Sequence, residues 1–110
     1  MNILIDFHGR EPVKQDDIGN ILFLELEKKG FSLFYNDVFD HYSTIDFRKD
    51  GYKYNIMLIP KRSSIECSTS VYKNFFPRLL KKYNREKLSS FFLLVKTILA
   101  LEGIIKGTTI

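Results

Sequence analysis

One hundred and ten residues, 45% of them hydrophobic and 15% aromatic, make one domain large enough to bury a core without metal or disulfide staples. A single cysteine, Cys67, excludes an intramolecular disulfide, and a tetrahedral zinc site would have to gather His8, His41 and a carboxylate around it, so no metal or other cofactor is expected. The net charge of +4 is divided by position: residues 1–59 hold 7 Lys+Arg against 10 Asp+Glu, and residues 60–110 hold 10 against 3, a pattern that bears on partners rather than on fold.

The N-terminal run MNILIDFHGREP meets Asp6 without a basic region or a small-residue cleavage site before it. It reads as a first strand, Asn2–Phe7, rather than a signal peptide, and a reducing cytoplasm is the expected location. A helix follows, capped by Asp16 or Asp17, with Ile18, Ile21, Leu22 and Leu26 on one face and Lys28-Lys29-Gly30 as its stop. Phe31–Tyr35 is aromatic and β-prone, so the first third predicts strand, helix, strand, with a right-handed crossover setting the two strands parallel.

Ser43–Ile59 carries the clearest local signal. Asp50-Gly51 suits a two-residue type I′ turn, and folding about it sets Phe47 against Tyr54 and Ile45 against Ile56 on one face. Thr44 then opposes Met57, Asp46 opposes Asn55 and Arg48 opposes Lys53 on the other, until Pro60 ends the hairpin. Lys61–Ser70 reads as a polar loop, Val71–Phe76 as a separate turn, and Pro77 as the first residue of a new helix. After Asn84 a last helix spans Arg85–Ile105, apolar around most of its circumference and expected to be buried centrally or in an oligomer interface. Its longest apolar stretch, Phe91–Leu101, is 11 residues and too short for a bilayer core of roughly 30 Å. The fold class expected is α+β in a single domain over 1–110: strand-helix-strand, an antiparallel hairpin, and two or three C-terminal helices packed on the sheet.

Two surfaces stand out. Tyr35, Asp37, Asp40, Tyr42 and Asp46 interleave acids with tyrosines where the second strand leaves for the hairpin, a combination able to cover a basic cleft while aromatics anchor the contact. The alternative is nucleic-acid binding by the segment 61–87, with a local charge of +6. In it Lys73, Arg78, Lys81, Lys82, Arg85 and Lys87 are the contacts, four of them spaced to share a helix face. Asp6 and His8 could join Asp37, Asp40 or His41 in acid–base or metal chemistry only if the fold brought them together. Cys67 beside Glu66 is a poor nucleophile. Asp46–Lys61 resembles the hairpin of restriction-type nucleases but lacks their Glu-x-Lys, having Leu58-Ile59-Pro60-Lys61 in its place. In size, aromatic richness and absence of catalytic motifs the chain resembles the broad class of immunity proteins and small phage-encoded inhibitors. The expectation is a non-enzymatic module that neutralises or regulates a partner protein, such as a toxin or an enzyme.

Overall fold

Seven elements among the described residues build a two-layer α+β domain: β1 (Asn2–Asp6), α1 (Gln15–Lys28), β2 (Ser32–Val38), β3 (Ser43–Lys49), β4 (Tyr52–Pro60), β5 (Ser64–Lys73) and α2 (Arg85–Leu101). The computed structural model describes residues 1–39, 41–73 and 85–105. The five strands form one antiparallel sheet in the order β1-β5-β4-β3-β2. Both helices pack on one face of it. Ile18, Leu22 and Leu26 of α1 and Leu88, Phe91, Val95, Ile98 and Leu99 of α2 meet Ile5, Phe47, Ile56, Leu58, Cys67 and Val71 in a single hydrophobic cluster. The opposite face of the sheet is uncovered among the described residues.

The central hairpin has the register expected from its sequence, with Ile45 opposite Ile56, Phe47 opposite Tyr54 and Asp46 opposite Asn55. Its turn has both central residues at positive φ, Asp50 at 52° and Gly51 at 80°, as a type I′ turn requires. A Cβ on Gly51 would meet nothing within 4 Å, so the constraint is conformational rather than steric. Gly51→Val forces a β-branched residue into the left-handed region. The expected cost is about 1–3 kcal/mol, read as a lower urea midpoint, whereas Gly51→Asn should stay near wild type.

Both helices end in the same way. Gly30 and Gly103 adopt φ of 91° and 73°, and the residue after each donates its N–H five residues back, Phe31 to Leu26 and Ile104 to Leu99. Each of these following residues is apolar and buried, which turns the chain inward at the helix stop. Arg10 fastens the second stop: its guanidinium donates to the carbonyls of Asp6 at 3.0 Å, Gly103 at 3.2 Å and Ile104, tying the end of β1 to the end of α2.

Four expectations are corrected. The first strand, first helix and second strand do not close into a parallel unit. β1 pairs with β5 and β2 with β3, so the two lie at opposite edges with three strands between them. The segment read as a polar loop, Lys61–Ser70, is mostly strand: only Lys61–Ser63 turn, and β5 runs for ten residues. Ile65, Cys67, Thr69 and Val71 alternate inward while Ser64, Glu66, Ser68 and Ser70 face the other side, so period-two burial overrides the turn preference of the hydroxyl residues. The N-cap of α1 is Lys14, which makes no side-chain capping bond, and Asp16 and Asp17 lie in the first turn instead. One C-terminal helix is present among the described residues rather than two or three, and the start proposed at Pro77 lies outside them. That helix packs on the sheet as expected, with one wet side on which Leu93 is 46% and Leu101 83% exposed.

Candidate functional site

β2 is an edge strand whose seven residues are all exposed. Leu33 is 41%, Phe34 51%, Tyr35 42% and Val38 61% accessible, and Phe39, just past the strand, is 42%. Edge strands in soluble proteins are ordinarily short or charged, with lysine the usual guard; β2 carries no lysine and no proline. Its one irregularity is a bulge. The pairing to β3 shifts between Leu33 and Tyr35, so that Phe34 and Tyr35 lie on the same, uncovered side of the sheet. There Phe34 is flanked by two cations of the neighbouring strands, the Arg48 guanidinium 3.7 Å and the Lys53 ammonium 5.8 Å from its ring centroid.

The outward groups of the strand follow from its ladder. The Phe39 N–H donates to the Tyr42 carbonyl at 2.7 Å, and residues hydrogen-bonded to a neighbour alternate with residues that face away, so the backbone groups of Asn36 and Val38 point out of the sheet. The Asp37 carboxylate accepts the Val38 N–H at 2.8 Å. Asn36 thus presents both its N–H and its C=O at the open edge.

The fold brings Tyr35, Asp37 and Asp46 together on the uncovered face, although the acids are already engaged. Tyr35 donates its hydroxyl hydrogen to Asp37 at 2.9 Å. That hydrogen bond, with smaller contributions from burial and from the charge of Asp37, holds the Tyr35 phenol above its ordinary pKa. Asp46 is only 8% exposed; it accepts from Asn55 at 2.5 Å and pairs with Lys53 at 3.5 Å. Asn55 also donates to Thr44 at 2.7 Å, which completes a polar cross-strand network. Tyr42 stacks on Phe39 across the β2–β3 connection, with centroids 4.9 Å apart. Asp40 lies outside the described residues. The surface is therefore an aromatic and apolar edge on which Asp46 is paired with Lys53 and Asp37 holds the Tyr35 hydroxyl, rather than a free acidic patch. Sequence reasoning missed Leu33, Phe34, Val38 and Phe39. Their signal was a run of adjacent apolar residues without alternation, a pattern that cannot bury on one face of a strand.

Of the basic segment, Arg78, Lys81 and Lys82 lie outside the described residues. Arg85 opens α2 and is exposed, while Lys73 and Lys87 both approach the ring of Tyr52, at 6.0 and 4.7 Å. A groove of about 570 Å³ beside them is lined by Lys29, Lys49 and Lys87 but also by Asp50 and Glu86, so its charge is mixed. Asp6 and His8 do not meet Asp37 or His41: four inter-strand steps separate β1 from β2, roughly 19 Å at the usual spacing. The Asp6 carboxylate instead accepts the His8 backbone N–H at 2.9 Å. No group of three metal-ligating side chains occurs among the described residues, and no described helix is long and apolar enough to cross a membrane. The chain matches no protein-family model, no curated protein and no solved structure.

Proposed function

We propose that the protein is a small non-enzymatic binding module that neutralises or regulates a partner protein, and that it grips the partner along β2. The observation that carries this reading is an edge strand exposed at every residue, with Phe34 and Tyr35 open on the uncovered side of the sheet and Leu33 and Val38 open on the other. An edge of this kind on a soluble domain marks an interaction site, and it supplies main-chain hydrogen bonds to an incoming strand while side chains on both faces select it. Tyr35 and Tyr42 are rigid aromatic anchors. Asp37 is the charge at the rim that bears on encounter, since Asp46 is tied up by Lys53 and Asn55.

The test compares proteins retained from host extract by wild type and by Val38→Lys, which places a lysine guard on the edge without touching the core. A partner held by wild type and lost on Val38→Lys identifies the surface. With that partner purified, Tyr35→Ala and Tyr42→Ala should each raise the dissociation rate about tenfold, while Asp37→Asn should mainly alter the association rate at low salt. Wild-type kinetics in all of these variants would remove β2 as the contact.

A further inference from the structure

We infer that the sheet face that no described element covers is a docking surface for single-stranded nucleic acid, carried by a row of four side chains near the β3–β4 turn. This goes beyond the reading of β2 as a protein-binding edge. The ladders fix the row: Arg48 of β3 lies opposite Lys53 of β4, Lys53 lies opposite Tyr72 of β5, and the bulge in β2 delivers Phe34 onto Arg48. Across four strands the face therefore reads aromatic, cation, cation, aromatic. The Arg48 guanidinium lies 3.7 Å from the Phe34 centroid and makes no ion pair among the described residues, and Phe34 stays 51% accessible beside it. Lys53 pairs with Asp46 at 3.5 Å yet keeps 40% of its side chain exposed.

Charge and spacing select the occupant. Residues Arg48–Tyr54, with Tyr72 and Lys73 beside them, hold four cations against the single carboxylate of Asp50, which suits a polyanion. Other carboxylates of this face are engaged: Glu66 takes Asn2 at 2.7 Å and Lys61 at 3.1 Å toward the opposite end of the strands, and Asp37 holds Tyr35. Phe34 and Tyr72 stand on strands three steps apart, roughly 14 Å at the usual spacing. That is too far to clasp one base, and the two cations lie in the gap where the phosphates of a strand stacked at both ends would pass. A duplex keeps its bases stacked on one another and offers no free base face to such rings. An acidic peptide would engage the cations alone and leave both rings idle. Stacking tolerates any base, so binding is without sequence preference and weakens with salt.

The experiment is fluorescence anisotropy of the whole chain with a labelled oligothymidylate of roughly 12 nucleotides, free or annealed to its oligoadenylate complement, at about 50 mM salt. The single strand should bind, and the duplex about tenfold more weakly. Phe34→Ala and Tyr72→Ala should each weaken binding about tenfold. Log affinity should fall with log salt at a slope of roughly −1.4 for two phosphate contacts, and Arg48→Gln should make the slope shallower by about 0.7. All three side chains lie outside the core cluster, so the circular dichroism of these variants should match wild type. Arg85→Gln, in the basic segment but on the helix layer, should be silent. No binding at this salt, equal binding of the duplex, or displacement of the strand by polyglutamate of matched charge overturns the proposal, the last in favour of an acidic protein partner on this face. Loss on Arg85→Gln with Arg48→Gln silent overturns it in favour of the basic segment. Retention of a host protein that Val38→Lys abolishes reports on the β2 edge alone, so either reading can fail without the other.

Discussion

Phe91→Ala should cost about 3–5 kcal/mol, a large part of the 5–15 kcal/mol that holds a domain of this size together. Phe91 is 2% exposed and joins α2 to the sheet through an aromatic cluster: its ring lies 5.6 Å from Phe31 and 4.8 Å from Tyr54, and Phe31 in turn meets Phe47 edge-on at 6.2 Å. These four rings come from α2, the α1–β2 connection, β3 and β4, so removing one opens a cavity shared by elements far apart in sequence. The remaining rings cannot close it without moving strands. Thermal unfolding followed by circular dichroism should show a drop of roughly 12–20 °C. Leu93→Ala, two residues on but 46% exposed, should move the midpoint little. Comparable shifts in the two variants would mean that α2 is not seated on the sheet through this face.

What the sequence revealed of this fold was its local part. The hairpin of β3 and β4 was legible residue by residue because turn chemistry at Asp50-Gly51 and alternation on both sides demand the same register. Even the partners of Asp46 were implicit there, since Asn55 lies opposite it. β5 was obscured by composition: Ser68, Thr69 and Ser70 together suggest a helix cap, and only the alternation of Ile65, Cys67, Thr69 and Val71 contradicts it. The exchange of neighbours was not legible at all. β1 pairs with a strand about sixty residues away, Asn2 with Ser68, and nothing local to either strand states that preference. The candidate site shares this division. Tyr35, Asp37 and Tyr42 are conspicuous in the chain, but their setting on an edge follows only once β5 has taken the place beside β1 and left β2 at the far side.

The same placement of β5 makes stability fall steeply in alkali. Cys67, on the core face of β5, has no exposed surface, and burial pushes its thiol from an ordinary 9.0 up to about 12. Below pH 9 the thiol is protonated in both folded and unfolded chains and stability is insensitive to it. As pH rises further the unfolded thiol ionises while the folded one keeps its proton, so the unfolded chain binds fewer protons and is favoured by up to about 1.4 kcal/mol per pH unit. Between pH 9 and about 12 the loss is on the order of 4 kcal/mol. Tyr54 acts in the same sense, its phenol raised chiefly by burial and further by Asp50 and Tyr52. Urea unfolding at pH 8, 9, 10 and 11 separates the thiol from every other titrating group when wild type is set beside Cys67→Ala. At pH 8 the variant should be the less stable by roughly 1 kcal/mol for its lost sulfur packing. By pH 11 the order should have reversed, because the variant has no thiol to keep protonated. Parallel stability curves for the two proteins across this range would show that Cys67 is not held in the core, and would put the inward alternation of β5 in question.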